Sequence, residues 1–394
     1  MAIQPVPSSR VPNRLALVLG GGGLKGFAHI GVLRALEERG IRPSLYAGTS
    51  IGALMAAAYV GGHGLEAMEA RARGLRRRDL FRINHMGMIL ERMRSPSLYL
   101  EEPLRALCTD VIPEGTFDDL PLPLLVNTVD VERGTQLVWG LPGLRDVSVV
   151  DAVYASCALP GFFPPGIVDG RICIDGGTVD NMPVQVAALG ADAVIAVDVG
   201  NSDLTPDTDI HTRGFASIYM RAASAMMHAL QQVPLERWAG PPMLLIRPRV
   251  SHHGWFTFEN AGQMIDAGYA AAVAALDQLG DELTRAGGVY PRRQVELSVD
   301  RERCIGCTTC VALAPRLMAM DATGKAYPTI SRVEWSPADG DFVLHCPTGA
   351  IEARVVAASP GDAAQEQRLD SSGGSPPRWR LDDDGEPTIN AADD

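Results

Sequence analysis

A serine in a short glycine-flanked sequence is the clearest candidate nucleophile. Ser50 occupies the centre of Gly48-Thr49-Ser50-Ile51-Gly52, between a strand-like segment and an apolar helix-like segment. A G-x-S-x-G sequence between a strand and a helix is typical of a nucleophile elbow, where small residues permit a sharp turn. The N-terminus of the following helix favours negative charge that develops beside the serine. The pattern predicts a serine nucleophile, and the alternatives are a chance match or a plain N-cap role for Ser50.

A run of glycines precedes this serine and follows the apolar segment Leu15–Leu19 directly. It reads Gly20-Gly21-Gly22-Gly23-Leu24-Lys25-Gly26 and leads into a helix-like segment. Backbone N–H groups at such a strand-to-helix turn bind anions. The spacing also matches a dinucleotide fingerprint, but the second strand lacks the acidic residue that this fingerprint needs. P-loop spacing fails because Gly26, and not Ser or Thr, follows Lys25. The loop alone therefore leaves three possibilities: a nucleotide site, another anion or oxyanion site, or a tight turn.

The glycine run and the serine follow successive predicted strands. Both turns can therefore open at the same edge of a sheet, where loop N–H groups would face the Ser50 hydroxyl. A nucleophile beside a group of N–H donors makes a coherent acyl-transfer site.

A serine nucleophile is activated by a general base, and the sequence offers several candidates. Asp175 lies in Ile174-Asp175-Gly176-Gly177, after a hairpin signal at Asp169-Gly170. Two glycines allow the backbone to turn tightly beside the carboxylate, although Asp-Gly-Gly by itself is often only a turn. Four late histidines are the alternative bases, and none has a distinctive setting: His211, His228, His252 and His253.

These features together resemble the patatin-like phospholipase family over about residues 14–285. The matching segments are GGGLKG at Gly21–Gly26, GTSIG at Gly48–Gly52, DGG at Asp175–Gly177, and Ala155–Pro165, which is similar to the family's "AS…PG.FPP" segment. The resemblance implies an α/β fold, a three-layer domain with a central, mostly parallel sheet.

The resemblance also implies a mechanism, in which Ser50 attacks an ester carbonyl and Asp175 acts as general base. The implied oxyanion hole comes from the glycine loop, namely Gly21, Gly22, Gly23, Lys25 and Gly26, while Gly48, Gly52, Gly176 and Gly177 complete the motifs. A carboxylate is a weaker base than an imidazole at neutral pH. The dyad therefore needs a partly desolvated site that raises the pKa of Asp175. Without such a site, the rate of hydrolysis would be modest.

Four of the seven cysteines form a second pattern. Cys304, Cys307 and Cys310 are each separated by two residues, and Cys346 is followed by Pro347. Three closely spaced thiolates with a distant Cys-Pro fit iron–sulfur ligation. A structural zinc site is the main alternative, but two CxxC pairs are more usual there.

The segment Val295–Val356 resembles small bacterial single-cluster ferredoxins. Two-cluster relatives carry a further Cys-Pro three residues after the triplet, and this chain has Ala314-Pro315 there. The resemblance implies a small α+β ferredoxin-like domain that holds one [4Fe–4S] cluster, with a [3Fe–4S] cluster as the runner-up.

The domain organisation follows from composition along the 394 residues. Residues 1–13 are predicted to be a disordered lead-in, 14–285 the acyl hydrolase domain, 295–356 the iron–sulfur domain, and 357–394 a disordered acidic tail. Within 14–285, strand-like and helix-like segments alternate, which is typical of an α/β architecture. The predicted elements include strands at Leu15–Leu19 and Met243–Ile246, and helices at Leu24–Arg39, at Ile51–Val60 and from Pro183.

Charge and hydropathy restrict the partners and the cellular location that the sequence predicts. A net charge of -12 argues against a nucleic-acid partner. No apolar run approaches the ~20 residues that span a bilayer, and no signal peptide is evident. Reduced thiols fit a cytoplasmic location. Arg71–Arg94 carries eight arginines against Asp79 and Glu91, which predicts either peripheral contact with an anionic membrane surface or a solvated basic face.

The sequence therefore predicts a serine lipid acyl hydrolase of the phospholipase or carboxylesterase type, with an appended electron-transfer or redox-sensing domain. An acyl lipid is the expected substrate, and a redox protein is a possible partner. One alternative is a redox protein whose hydrolase-like domain is a scaffold. Another is a sensor in which the state of the cluster gates hydrolysis.

Overall fold

The computed structural model describes residues 12–84, 97–200, 210–279, 282–284, 287–339, 342–356, 379–381 and 387–389. The chain divides into two compact units, residues 1–291 and 292–394. Each unit is described by itself.

The larger unit is built on a nine-stranded mixed sheet. Its strands are β1 Leu15–Leu19, β2 Leu45–Thr49, β3 Leu124–Asp130, β4 Thr135–Trp139, β5 Gly166–Val168, β6 Arg171–Asp175, β7 Ala193–Val197, β8 Met243–Ile246 and β9 Val289–Tyr290. The order is β5-β6-β3-β2-β1-β7-β8-β9, and β4 pairs with β3 outside this path. The neighbouring strands β3-β2-β1-β7-β8-β9 are parallel to one another, whereas the pairs β3–β4, β3–β6 and β5–β6 are antiparallel. The predicted mostly parallel α/β sheet is confirmed.

Nine helices are described in this unit. They are α1 Ala28–Glu38, α2 Ile51–Val60, α3 Leu65–Gly74, α4 Arg77–Leu80, α5 Glu102–Val111, α6 Val149–Cys157, α7 Val184–Ala187, α8 Phe215–Glu236 and α9 Ala261–Gln278. Among the residues that the structure describes, no helix is both long enough and apolar enough to cross a membrane.

The central strands explain where the site forms. Every residue of β1 and β7 is buried, as expected for parallel strands covered on both faces. In the register of β1 with β2, Leu19 lies beside Gly48. The glycine loop after Leu19 and the turn at Ser50 therefore leave the sheet at the same edge.

Helices α1 and α9 pack together at very short range through two glycines. A Cβ at Gly31 would lie 1.9 Å from the carbonyl oxygen of Ile265, and one at Gly268 would lie 1.9 Å from that of Ala28. Such contacts exclude any side chain, so both positions require glycine.

Two helix predictions need correction, and one helix was not predicted. The predicted helix Leu24–Arg39 begins instead with a 3-10 turn at Gly23–Phe27, because Gly23 has a φ of +60° and the N–H of Leu24 is bound to the carbonyl of Trp255. The helix predicted from Pro183 is only the four residues of α7. The 22-residue helix α8 was not predicted, because half-buried and exposed residues mix along it without a clear apolar stripe.

The smaller unit is an α+β structure, as predicted. Strands β10 Arg293–Val299, β13 Arg332–Trp335 and β14 Ile351–Val355 form an antiparallel sheet in the order β13-β10-β14, while β11 Met318–Met320 pairs with β12 Ala326–Pro328, and α10 spans Thr309–Leu313. Its core includes Val295, Leu297, Met318, Phe342 and Ile351.

The predicted domain limits stay predictions. Residues 1–11 and most of 357–394 lie outside the described residues. Within that C-terminal segment, β15 Trp379–Leu381 and β16 Pro387–Ile389 pair antiparallel.

Candidate active site

Ser50 occupies a strained turn between β2 and α2. Its φ is 54° and its ψ is -126°, a conformation that residues with a side chain rarely adopt. A Cβ at Gly48 would lie 2.5 Å from the Ala53 nitrogen, and one at Gly52 would lie 2.0 Å from the Leu19 carbonyl oxygen. The Ser50 side chain makes no capping hydrogen bond to α2. This geometry is that of a nucleophile elbow, with the hydroxyl free of a capping role.

Asp175 lies at the end of β6, and its side chain meets that of Ser50. It is 4% exposed, and its Oδ1 accepts a 2.8 Å hydrogen bond from the N–H of Gly177. Burial raises the pKa of Asp175 to about 6, although hydrogen bonds from the Ser50 hydroxyl and the Gly177 amide oppose the rise. The structure therefore brings the two predicted dyad residues together and supplies the desolvation that a carboxylate base needs.

The two glycines after Asp175 are tightly enclosed. A Cβ at Gly176 would lie 2.5 Å from both the side-chain nitrogen and the carbonyl oxygen of Asn127, and one at Gly177 would lie 3.1 Å from Oδ1 of Asp175. Both glycines therefore let the backbone turn close to the carboxylate, as the Asp-Gly-Gly pattern predicts.

The late histidines lie elsewhere. Within the part of the chain that the structure describes, none of them lines the cavity that holds Ser50 and Asp175. The rings of His252 and His253 contact each other in a tilted arrangement, with centroids 3.9 Å apart, and burial lowers the pKa of His253. Asp175 and Cys157 are the titratable side chains that hydrogen-bond to Ser50 in this cavity, and burial raises the pKa of the Cys157 thiol well above its usual range.

Only part of the glycine loop lines the cavity that holds Ser50. Gly23 lines the cavity beside Ser50, and the extended residue Gly22 precedes it. The N–H of Gly21 is bound to the Asn181 carbonyl at 3.2 Å, and so points away from a substrate. Of the five residues predicted for the oxyanion hole, Gly23 lines the cavity.

Lys25 and Gly26 have packing contacts instead. Lys25 is fully buried, with its Nζ 5.8 Å from the ring centroid of Trp255. A Cβ at Gly26 would lie 2.4 Å from a methyl carbon of Ile51, so this glycine allows the loop to rest on the start of α2. These two residues shape the loop without lining the cavity.

Three polar residues that hold the site were not predicted. The Ser50 N–H donates a 2.8 Å hydrogen bond to Oγ of Ser156. Asn181 clamps the glycine loop, since its carbonyl accepts from Gly21 N–H and its side-chain nitrogen donates to Gly21 O at 3.0 Å. His29 Nε2 lies 2.8 Å from Gly20 O. Burial lowers the pKa of His29 to about 4, so the ring is neutral and Nε2 donates.

Ser156 lies inside Ala155–Pro165, the segment that resembles the family. The sequence therefore pointed to this position but did not indicate what Ser156 does. Nothing local marks His29 or Asn181. Their partners become neighbours only when the sheet forms.

The cavity above Ser50 is almost wholly apolar. It encloses about 940 Å³ of empty space, a value that includes its opening to solvent. Apolar residues from α2, α3, α5 and the loops line it, among them Leu54, Met55, Ala58, Met68, Ala72, Leu75, Leu104, Leu107, Val111, Phe163 and Phe256. A serine nucleophile at the wall of such a cavity is suited to an apolar acyl group.

In the smaller unit, the four patterned cysteines line one small cavity. Gly306 and Thr308 have positive φ values, 73° and 61°, which let the loop carrying Cys304, Cys307 and Cys310 curl around this space. Among the described residues, no three His, Cys, Asp or Glu side chains are grouped so as to hold a metal ion.

Backbone amides point at two of the sulfurs. Ala326 N–H donates to Cys304 Sγ at 3.5 Å, and Ala350 N–H donates to Cys346 Sγ at 3.3 Å. Burial raises the pKa of Cys346, but hydrogen bonds from the Thr348 hydroxyl and nearby amides outweigh it and leave this pKa below its usual range. The donor set fits thiolate ligation of a cluster.

Comparisons with known families match both units. Residues 17–188 match the patatin-like phospholipase family, and residues 297–353 match the 4Fe-4S single cluster domain. The chain therefore joins a patatin-like phospholipase domain to a 4Fe-4S single cluster domain. This confirms the predicted fusion.

Curated relatives match about half of this chain. Patatin-like phospholipase domain-containing protein 6 of Mus musculus is 36% identical over 214 residues, which are 51% of this chain and 14% of that protein. An uncharacterized NTE family protein of Mycobacterium tuberculosis is 32% identical over 217 residues, 54% of this chain and 57% of that protein. The chain thus spans less than two thirds of either relative. The solved structure of VipD from Legionella pneumophila aligns over 68% of this chain and 67% of its own, at 16% identity and a TM-score of only 0.35.

Proposed function

We propose that this protein hydrolyses carboxylic esters of acyl lipids through a Ser50–Asp175 dyad. The observation that carries the proposal is the contact of a buried carboxylate, whose pKa is raised to about 6, with a serine held in a strained elbow. Such a carboxylate is ionised at neutral pH yet basic enough to accept a proton from an attacking hydroxyl.

The reaction takes place in two stages. As Ser50 Oγ attacks the ester carbonyl, its proton moves to Asp175, and a tetrahedral oxyanion forms. Asp175 then returns the proton to the departing alcohol, which leaves an acyl group on Ser50. Asp175 then deprotonates a water molecule that attacks this acyl group. The bond between the acyl carbon and Ser50 Oγ breaks, Oγ takes the proton back from Asp175, and the fatty acid is released. Both carboxylate roles use the same oxygen atoms, so no second titratable group is required.

The oxyanion is stabilised by the glycine loop. The N–H of Ser50 is occupied by Ser156, and that of Gly21 by Asn181, so neither serves as a donor. The N–H groups of Gly22 and Gly23 and the N-terminus of α2 supply the positive field. The clamp by Asn181 and His29 keeps this loop in place before substrate arrives.

The test is hydrolysis of a panel of phospholipids and neutral acyl esters by the wild type and by Ser50→Ala. Activity that depends on Ser50 supports the proposal and defines the preferred head group. Equal activity of both proteins would exclude a Ser50 acyl-enzyme.

We propose that Cys304, Cys307, Cys310 and Cys346 hold one [4Fe–4S] cluster, with [3Fe–4S] as the second choice. The match to a single cluster domain and the four thiols around one cavity support it. Such a cluster supplies one-electron transfer. The amides of Ala326 and Ala350 each donate a hydrogen bond to one of these sulfurs, those of Cys304 and Cys346. Iron and acid-labile sulfide analysis of anaerobically purified protein tests the assignment.

We also propose a peripheral contact with anionic membrane surfaces. Arg73, Arg76, Arg77 and Arg78 line one surface cleft together with Phe258 and Glu259. Ile83, which is 42% exposed, follows them, and residues 85–96 of the predicted basic segment lie outside the described residues. Clustered arginines attract anionic headgroups, and salt weakens this attraction. Cosedimentation with phosphatidylserine vesicles at low and high salt tests it.

The cytoplasmic location and a redox partner protein remain proposals. Both rest on the four reduced, patterned thiols.

A further inference from the structure

One face of helix α2 forms a continuous wall of the cavity above Ser50. The wall residues are Ser50, Ile51, Leu54, Met55 and Ala58. Their spacing of four and eight positions places them on one side of a helix, in line with the helix axis. The cavity therefore extends along α2 from the nucleophile at its N-terminus toward its C-terminus.

Helices α2 and α5 end close to each other. Gly61 follows α2, and a Cβ there would lie 2.4 Å from the ring of Pro113, which follows α5. Leu107 and Val111 of α5 line the cavity near this end. The C-terminal turns of the two helices thus converge around Ala58.

An ion pair borders the same end. Arg71 of α3 lines the cavity, and its guanidinium lies 2.8 Å from the carboxylate of Asp110 on α5. The two side chains are 40% and 63% exposed, so the pair connects the cavity wall to solvent. An apolar chain that reached this point would have to displace a solvated ion pair.

These positions set a length. Ala58 follows Ser50 by eight residues, which corresponds to about 12 Å along a helix. An extended chain advances roughly 1.2 Å per bond, so this distance takes about ten carbons. We propose that the cavity selects acyl groups of up to about ten carbons, with Ala58 and the Arg71–Asp110 pair as the length-determining features. This inference rests on the proposed hydrolysis at Ser50 and specifies its substrate.

The expected energetics follow from burial of methylene groups. Each additional buried methylene favours binding by about fourfold, so kcat/KM should rise with chain length while the chain stays inside the cavity. Beyond about ten carbons the gain should stop, because further methylenes meet the ion pair or solvent.

The test is a series of soluble p-nitrophenyl esters from two to fourteen carbons, measured below their micelle concentrations. Ala58→Leu adds three carbons at the far end, so the ratio of kcat/KM for the ten-carbon ester to that for the four-carbon ester should fall by about 10- to 60-fold. Ala58→Val, a smaller change, should give a smaller fall and guards against misfolding of the leucine variant. Arg71→Ala should shift the optimum toward longer chains.

Ala70→Leu is the matched control, because Ala70 is an exposed residue of α3, one position from Arg71. Its chain-length profile should equal that of the wild type. Fluorophosphonate titration gives the fraction of active sites in each variant, so rates are compared per active site.

Two results separate the inference from the function on which it rests. A wild type that hydrolyses esters with an unchanged profile in Ala58→Leu, Ala58→Val and Arg71→Ala overturns the length proposal and leaves the dyad standing. A wild type that neither reacts with fluorophosphonate nor hydrolyses any ester overturns both.

Discussion

The backbone N–H of Ser50 donates a 2.8 Å hydrogen bond to Oγ of Ser156. The Ser156 hydroxyl in turn donates to the carbonyl of Asn127 at 2.7 Å. One hydroxyl thus ties the strained elbow to β3, and Ser156 is fully buried. Ser156 is therefore a positioning residue for the nucleophile.

Removal of this hydroxyl should loosen the elbow. In Ser156→Ala the Ser50 N–H and the Asn127 carbonyl lose their partner, a loss that costs about 1–3 kcal/mol for buried groups. We expect a lower melting temperature and a kcat reduced by about 10-fold or more, with KM nearly unchanged. Steady-state kinetics with a soluble ester measures both parameters.

Ser148→Ala is the matched control, because Ser148 caps the same helix α6 by accepting from Asp151 N–H at 3.2 Å. That variant should lose about 1 kcal/mol of stability and keep its kcat. Equal kinetic losses in the two variants would show that Ser156 acts only through stability.

The pKa of Asp175 predicts how activity depends on pH. Because burial raises this pKa to about 6, kcat/KM should rise with pH and reach half its plateau near pH 6. The measurement is kcat/KM from pH 4 to pH 8. The profile should be the same in His252→Ala and His253→Ala, and a shift of the midpoint in either variant would indicate a histidine base.

The same burial predicts a stability effect. The pKa of Asp175 is higher in the folded protein than its ordinary value of 3.8, so its contribution favours folding below about pH 4 and is lost as pH rises through about 6. Asp175→Asn, which has no charge to bury, should therefore be inactive but melt at a higher temperature than the wild type at pH 7. The difference should shrink toward pH 4, and a variant that is less stable at pH 7 would contradict the raised pKa.

Gly23 tests the oxyanion loop. Its φ is +60°, and an added Cβ would lie 2.4 Å from the carbonyl oxygen of Trp255. Gly23→Ala should displace the loop amides and reduce kcat by about 10²–10³-fold, the usual cost of one oxyanion donor. Gly62→Ala is the control, since Gly62 also has a positive φ, +88°, but nothing lies within 4 Å of its Cβ. A raised KM alone in Gly23→Ala would indicate substrate binding instead.

The cluster has its own prediction. Protein purified without oxygen should contain about four irons and four acid-labile sulfides per chain, and Cys346→Ala should lose or degrade this cluster. Ester hydrolysis by Cys346→Ala then separates independent units, which give unchanged rates, from redox gating, which gives lost activity. Stoichiometric zinc without iron after anaerobic reconstitution would contradict the cluster assignment.

Local patterns in the sequence predict much of this fold. Strand β1, helix α2 and strand β8 have the bounds that their apolar segments predict, and the Asp169-Gly170 turn joins β5 to β6. These elements depend on short-range periodicity and turn chemistry, which a single sequence displays. The pairing of Ser50 with Asp175 was implied by the resemblance of four ordered motifs to a known family, not by a local sequence pattern.

Contacts between residues that lie far apart in the chain could not be predicted from the sequence. Asn181 bonds to Gly21 across 160 positions, and no spacing in the sequence marks the pair. A second hydrogen bond of the same pair, from the Gly21 N–H to the Asn181 carbonyl, is equally invisible in the sequence. Lys25 belongs to the loop that the resemblance assigned to the oxyanion hole, but the fold buries it and it does not line the cavity.

The most direct test of the dyad is covalent labelling by a fluorophosphonate, with the modified residue mapped by mass spectrometry. In the wild type we expect one adduct per chain, on Ser50. Ser50→Ala should show none, and Asp175→Asn should be labelled at least about 10²-fold more slowly, because the general base is missing. An adduct that persists in Ser50→Ala, or an undiminished labelling rate in Asp175→Asn, would contradict the Ser50–Asp175 dyad.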